Sequence, residues 1–469
     1  MQGKASGDIP NMDAITRAQL AAVLGLGFLA LAACAGPTAQ TKKSLNALLS
    51  AGNCAGAESR IRSNKESQYG PANAVLYHLD LGMVLHECGR YRESNRQLSK
   101  AESLMQARDT KSVSQETAAL IANENSKDYR AEGFERALSH LFHTLNYVFL
   151  GQSQDALVEV RRMEDFLDRL NRDSPGGRSY RDDAFGHYIA ALLYEESGER
   201  DDARISYHAA QEAYARYQKL YGVALPGFEF PTNWGGDGEL VFLHYAGPAP
   251  RKISVSGCSA PAKTKETDSA VSDSTQTSSR AEGALSYLNP TKVLKAAPGL
   301  AVDAVAGTVE AATDVGGAVV GGIVNETCPV YVQDPYVIRA SALSARGIPG
   351  HVATELAEPI SKIAEEDLKE RLAIIKARSV ARGILKIAAE VAASRSVSLD
   401  LSGTQFADVR GWSTIPAQIR LARFKLPPGT YDLTVAFEDS TGRTLSKRVF
   451  KGVVISQGRR TWLNARTIR

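Results

Sequence analysis

The sequence predicts a multidomain α+β chain, with α-helical hairpin repeats first, then short strands, a long helix and a small antiparallel β domain. Three observations predict this. Apolar and small residues recur at i, i+3, i+4 and i+7 in paired blocks between residues 75 and 221. Beyond Gly222, Val-, Phe- and Leu-rich runs alternate with Gly/Pro breaks. The chain has 469 residues, 43% apolar and 23% charged. That is room for two or three domains of roughly 100–200 residues, and not the composition of a collagen-like, wholly disordered or polytopic membrane chain. A formal net charge of +3 gives no reason to expect a nucleic-acid partner.

The elements follow in order. Ala18 to Ala33 is a sixteen-residue apolar run broken only by polar Gln19, with Arg17 on its basic flank. It is short for a membrane span of about 20 residues but suits a signal-peptide core. Its end, Leu31-Ala32-Ala33-Cys34, resembles the lipobox of bacterial lipoproteins, in which the cysteine is lipidated and becomes the new N-terminus. Residues 1–33 are therefore read as a lipoprotein signal peptide, with Met12 as an alternative start. A buried helix with a stray cysteine is the alternative. Ala35 after the cysteine, rather than Asp, implies the outer membrane by the rule of that family. The lipid is the expected membrane anchor, facing the periplasm.

An oxidising compartment changes the reading of Cys54, Cys88, Cys258 and Cys328. Four cysteines allow three pairings. Cys54 and Cys88 sit on neighbouring helical segments, and Cys258 and Cys328 bracket a low-complexity insertion, which favours those two pairs over four buried thiols. No close Cys/His spacing suggests zinc.

Residues 34–221 are read as the repeat domain. Leu79, Gly82, Leu85, Gly89, Tyr91, Ser94, Leu98 and Ala101 outline two helices separated at Gly89. Small residues at fixed offsets let the two helices approach closely, and this frame resembles the tetratricopeptide repeat. It returns at Tyr147, Gly151, Ala156, Val160 and Met163, and at Ala191, Tyr194, Gly198, Ala203, Tyr207 and Ala210. A weaker unit is expected over 43–62, and an extra helix between Ser114 and Arg130. An irregular helical bundle would share the same inward faces. Hairpins of this kind leave a concave surface suited to peptides or partner proteins.

Residues 222–345 are read as a β segment, with strands at Glu239–Tyr245, Lys252–Ser256, Pro329–Val332 and Tyr336–Ala340. They flank an insertion, 259–327. Its first part, 259–281, has ten Ser or Thr among 23 residues and no aromatic, a composition expected to be disordered. Its Gly/Ala/Val stretch, 296–324, reads as a weakly helical insertion rather than a membrane-lying helix. Residues 346–396 are assigned to a long helix, Ser361–Arg395, started by Pro359, with acids early and bases late to complement its dipole. Residues 397–469 form the basic β-rich domain, with strands Gln418–Phe424, Thr430–Phe437, Thr444–Phe450 and Thr461–Asn464.

Taken together, the scattered motifs carry a resemblance. They are Gly133-Phe134-Glu135-Arg136 leading into His140–Gly151, Ala156 to Arg162, Gly238-Glu239-Leu240-Val241, Pro329-Val330-Tyr331, Asp408 to Pro416, Leu421-Ala422-Arg423 and Pro428-Gly429-Thr430-Tyr431. The chain resembles a family of tetratricopeptide-containing lipoproteins of the Gram-negative envelope. The resemblance implies a periplasm-facing scaffold without an agreed activity.

The expected function is accordingly a non-catalytic outer-membrane lipoprotein, binding an envelope protein partner through its repeats, without cofactor, metal or nucleic acid. A regulator that activates a peptidoglycan synthase and a glycan-binding subunit of an envelope enzyme are the alternatives. No GxSxG, HExxH or nucleotide-binding motif is present. His140 and His143 share a helix face and could bind metal with a third ligand. No Cys or carboxylate stands at a fixed offset nearby, so a packed pair is the expectation. Asp182-Asp183 and Asp201-Asp202 read as helix-start charges. The small net charge conceals a division: residues 152–212 carry fourteen acids and eight bases, whereas the sixty residues from Arg410 carry twelve bases and three acids. The basic module, with Lys447, Arg448, Arg459 and Arg460, is expected to face an anionic surface: lipopolysaccharide, lipid headgroups or the acidic repeats.

Overall fold

The computed structural model describes residues 36–111, 128–172, 180, 182–256, 327–372, 375 and 407–469. The signal peptide, Cys34, the segment 114–127, Cys258, most of the 259–327 insertion and the later turns of the long helix lie outside them. Helices lie toward the N-terminus and strands toward the C-terminus.

Among the described residues, eight helices pair into four hairpins. These are α1 (Ala39–Ser50) with α2 (Cys54–Ser63), α3 (Ala74–Glu87) with α4 (Tyr91–Lys111), α5 (Gly133–Phe149) with α6 (Ser153–Arg172), and α7 (Ala184–Ser197) with α8 (Arg200–Tyr221). Gly89, Gly151 and Gly198 turn the last three at φ of 71°, 70° and 81°, where a side chain would be strained. At Gly82 the absent side chain matters for packing: a Cβ there would stand 2.8 Å from Leu98 Cδ2 on the facing helix. Ser94 uses that closeness to donate to the Gly82 carbonyl at 2.7 Å. Asp183 caps α7 by accepting from the Gly186 amide at 2.7 Å, and Asp201 and Asp202 occupy the first turn of α8, as helix-start charges should.

Ten strands follow: β1 (Gly238–Ala246), β2 (Arg251–Ser256), β3 (Thr327–Val332), β4 (Ala340–Ala345), β5 (Val352–Ala353), β6 (Glu355–Glu358), β7 (Gln418–Leu426), β8 (Gly429–Glu438), β9 (Thr444–Ile455) and β10 (Arg460–Thr467). They make a sheet ordered β10-β1-β7-β6, a second ordered β5-β4-β8-β9, and the ribbon β2-β3. Among the described residues, only β1 and β10 run parallel. A ninth helix, α9, is described over 360–372.

Two sequence expectations are corrected. The strand placed at Tyr336–Ala340 starts at Ala340 instead, because the chain bends at Val337 and the Ile338 amide donates to the Arg469 carbonyl rather than to a neighbouring strand. Residues 352–358, grouped with the long helix, are strands β5 and β6, and helix begins only after Pro359. Consecutive Ala357 and Glu358 of β6 are both buried beside β7, where the pairing is irregular between Leu356 and Glu358.

The layers stack in a definite order. Along β1, Val241, Leu243 and Tyr245 enter the core shared with the helices, whereas Leu240 and Phe242 join Leu343, Leu433, Val435 and Phe437 of the second sheet. Every residue of β1 is buried, as a strand covered on both faces must be. The inner helices α3, α5 and α7 therefore lie between the outer helices α4, α6 and α8 and the first sheet. The core does not stop at residue 221. It runs without a break from Leu45 to Leu421.

Candidate functional site

The helical and β layers meet through buried polar contacts. The segment after residue 407 docks first. Trp412, the largest fully buried side chain, meets the Phe142 ring edge-on at a centroid distance of 6.0 Å. Asp80, in the middle of apolar α3, accepts from the Ser413 amide and hydroxyl, both at 3.0 Å, from Thr414 Oγ1 at 3.1 Å and from the Tyr69 hydroxyl at 2.8 Å. Burial pushes the Asp80 carboxyl up, and these donors pull it back. Glu135 accepts from the Trp412 amide at 2.7 Å and closes a capping box with Glu132. Burial would raise Glu132, but Lys252 at 2.6 Å and Arg371 at 2.7 Å outweigh it and hold the carboxyl below its ordinary range.

A second junction ties β1, β7 and β10 to α7. Glu239 faces Arg460 across the parallel register and pairs with it at 2.9 Å. Arg423 reaches the other oxygen of Glu239 at 2.8 Å and the Tyr188 hydroxyl at 3.1 Å. Arg460 continues to the Leu192 carbonyl and to Glu195. Both guanidiniums also donate to Thr232 Oγ1 at 2.7 Å. Two arginines thus balance two glutamates inside the protein.

Beside it, His86 bonds Asn146 Oδ1 at 2.7 Å and the Tyr245 hydroxyl at 3.0 Å. Burial lowers its pKa to about 4, Asn146 opposing. The unfolded imidazole titrates near 6.5, so the His86 contribution to stability is complete above that pH and is lost as pH falls through 4. Its neighbour Glu87, raised by burial to about 7 against the pull of Arg466, titrates in the opposite sense. Comparing wild type with His86→Gln isolates the histidine. Their stability difference by urea unfolding should narrow by about 3 kcal/mol between pH 7 and pH 4, and a constant difference would contradict a buried neutral ring.

A third cluster lies between the outer and inner helices. His140 Nδ1 stands 3.5 Å from both Glu102 Oε1 of α4 and Glu159 Oε2 of α6. His143 Nδ1 stands 3.4 and 3.5 Å from the same two oxygens, and its ring stacks on Tyr147. Arg162 holds the other oxygen of Glu159 at 2.6 Å. The carboxylates that sequence spacing did not supply arrive from neighbouring helices.

The other candidates fall as follows. Cys54 and Cys88 form a disulfide that joins α2 to the end of α3. Cys328 is also disulfide-bonded, while Cys258 and Cys34 lie outside the described residues. Lys447, Arg448 and Arg459 are exposed, on β9 and the turn before β10. Arg460 is a correction: it is buried, because the first residue of β10 faces the helices, and its anions are Glu239 and Glu195 of this chain. The concave surface expected to be open is also corrected. The inner faces of α3, α5 and α7 are covered by the first sheet and the 407–417 segment.

Sequence reasoning missed Asp80, Glu102, Glu135, Arg423 and the pairing role of Glu239. A signal existed for some of them. Glu102 follows Leu98 by four, and Glu159 follows Ala156 by three, so both acids stand on the apolar stripe of their helix, where a charge needs a partner. Among the described residues, no helix is long and apolar enough to cross a membrane. Comparison with family models, curated proteins and solved structures finds no match for this chain.

Proposed function

We propose that this chain is a non-catalytic, lipid-anchored scaffold of the outer membrane, facing the periplasm and holding a protein partner in an envelope complex. The observation that carries the reading is the Cys54–Cys88 disulfide in a chain whose leader ends Leu31-Ala32-Ala33-Cys34. A bridge of this kind persists in an exported protein and is rare in the cytosol. The tetratricopeptide-like character of the hairpins rests on their paired helices, their positive-φ turn glycines and the Gly82–Ser94 close approach.

Partner contact is assigned to outward surfaces, since the chain fills its own inner face. The outer helices carry exposed Val158 and Ile205, and the twelve-residue β9 forms the edge of its sheet with Leu445, Val449 and Val454 exposed. Cys34→Ser should leave the chain unprocessed, free of acyl label and released from outer-membrane fractions. Affinity capture of the lipidated chain from intact envelopes should return a stable protein complex. Recovery of peptidoglycan synthases alone would favour the regulatory alternative. Binding to purified sacculi without a protein partner would overturn the scaffold.

A further inference from the structure

The histidine pair on α5 has no part in the scaffold reading, and its surroundings point to a ligand of their own. We propose that Glu102 Oε1, His140 Nδ1 and Glu159 Oε2 bind a divalent transition-metal ion of the zinc class, with His143 beside them.

Geometry carries the assignment. The three ligand atoms lie within 4.8 Å of one another. His140 Nδ1 stands 3.5 Å from each carboxylate oxygen, as does His143 Nδ1 from Glu159, with 3.4 Å to Glu102. These distances exceed the usual 2.7–3.2 Å of an N–H···O bond. They match the edge of a tetrahedron built on metal–ligand bonds of about 2.0–2.2 Å, which is roughly 3.3–3.6 Å. Hydrogen bonding alone should draw a buried imidazole and a carboxylate closer.

His143 adds to this. Its side chain is 2% exposed, and its Nδ1 faces the same two carboxylate oxygens at 3.4 and 3.5 Å. Two imidazole nitrogens and two carboxylate oxygens thus converge on one point, each pair at longer than hydrogen-bond distance.

Charge and chemistry agree. Two carboxylates face one guanidinium, Arg162, so a cation is favoured. Arg162 also fixes Glu159 by its far oxygen and leaves Oε2 aimed at His140, the kind of outer support a ligating carboxylate usually has. Imidazole and carboxylate without thiolate suit zinc, manganese or iron(II) better than calcium or magnesium. Three protein ligands leave a position for His143 or water. Because Glu102 belongs to the second hairpin and the other two ligands to the third, the ion would clamp one hairpin to the next.

The test uses the full chain, stripped with chelator and titrated with Zn2+ by calorimetry. One tight equivalent is expected. Glu102→Gln and His140→Asn should each weaken binding at least tenfold. Both side chains are 12% exposed, at the edge of the cluster, so the metal-free variants should keep the wild-type urea midpoint. The zinc X-ray absorption edge of the wild type should show a nitrogen and oxygen shell with imidazole scattering, a readout that stands even if a variant fails to fold. Wild-type affinity no tighter than that of the variants overturns the site. So does a shell of sulfur, or of oxygen alone.

Discussion

Glu239→Ala should cost about 3–5 kcal/mol, because it leaves two buried guanidiniums short of their shared carboxylate. The side chains of Arg423 and Glu239 are each 2% exposed and that of Arg460 is fully buried, so water cannot replace what is lost. Arg460 keeps Glu195, but Arg423 retains no carboxylate among the described residues, keeping the Tyr188 hydroxyl, the Glu229 carbonyl, Thr232 and the Phe228 ring. Since these groups join β1, β7 and β10 to α7, the loss should appear as weaker cooperativity between helical and β layers as well as a lower urea midpoint. Lys447→Ala, on the exposed edge strand, should change stability by less than about 0.5 kcal/mol. Equal losses at the two positions would contradict the account of how the layers are held.

Removal of the Cys54–Cys88 bridge is the second large effect. The sequence separation of 34 residues corresponds to about 4 kcal/mol in the chain-entropy description, within the range of about 2–5 kcal/mol seen when native disulfides are removed from small domains. The bridge spans α2 and α3, so reduction, or Cys54→Ala with Cys88→Ala, should lower the urea midpoint. Faster amide exchange should concentrate in α1 and α2, whose buried apolar residues are few: Leu45 in α1, Ala57 and Ile61 in α2. Unchanged stability under reductant would contradict a structural role for the bridge.

The architecture was legible where periodicity is local. Helix pairing follows from the apolar stripe and the turn glycines, and seven of the eight expected strands share most of their residues with those observed, the eighth only Ala340, because a run of alternating Val, Phe and Leu between Gly/Pro breaks has few other solutions. Strands β5 and β6 were not legible. Val352-Ala353 and Glu355–Glu358 are too short for a period to show, and only pairing with β4 and β7 makes them strands. The sites depended on contacts far apart in sequence. Asp80 meets Ser413 at a separation of 333 residues, and Arg460 meets Glu239 at 221. Composition counted Arg460 among surface cations, since register across a parallel pair cannot be read from charge. Likewise His140 and His143 looked unsupported because their carboxylates stand 16 to 41 residues away. What the sequence did contain was the anomaly itself, acids on an apolar stripe, which a one-helix reading treats as a solvated face.

The anchored-scaffold proposal stands or falls first on the state of Cys34. The most direct measurement is the intact mass of the chain purified from envelopes, with fragmentation from its N-terminus. The account predicts an N-terminus at Cys34 carrying thioether-linked diacylglycerol. A mass that retains residues 1–33, or an N-terminus at Cys34 or elsewhere without lipid, would contradict it.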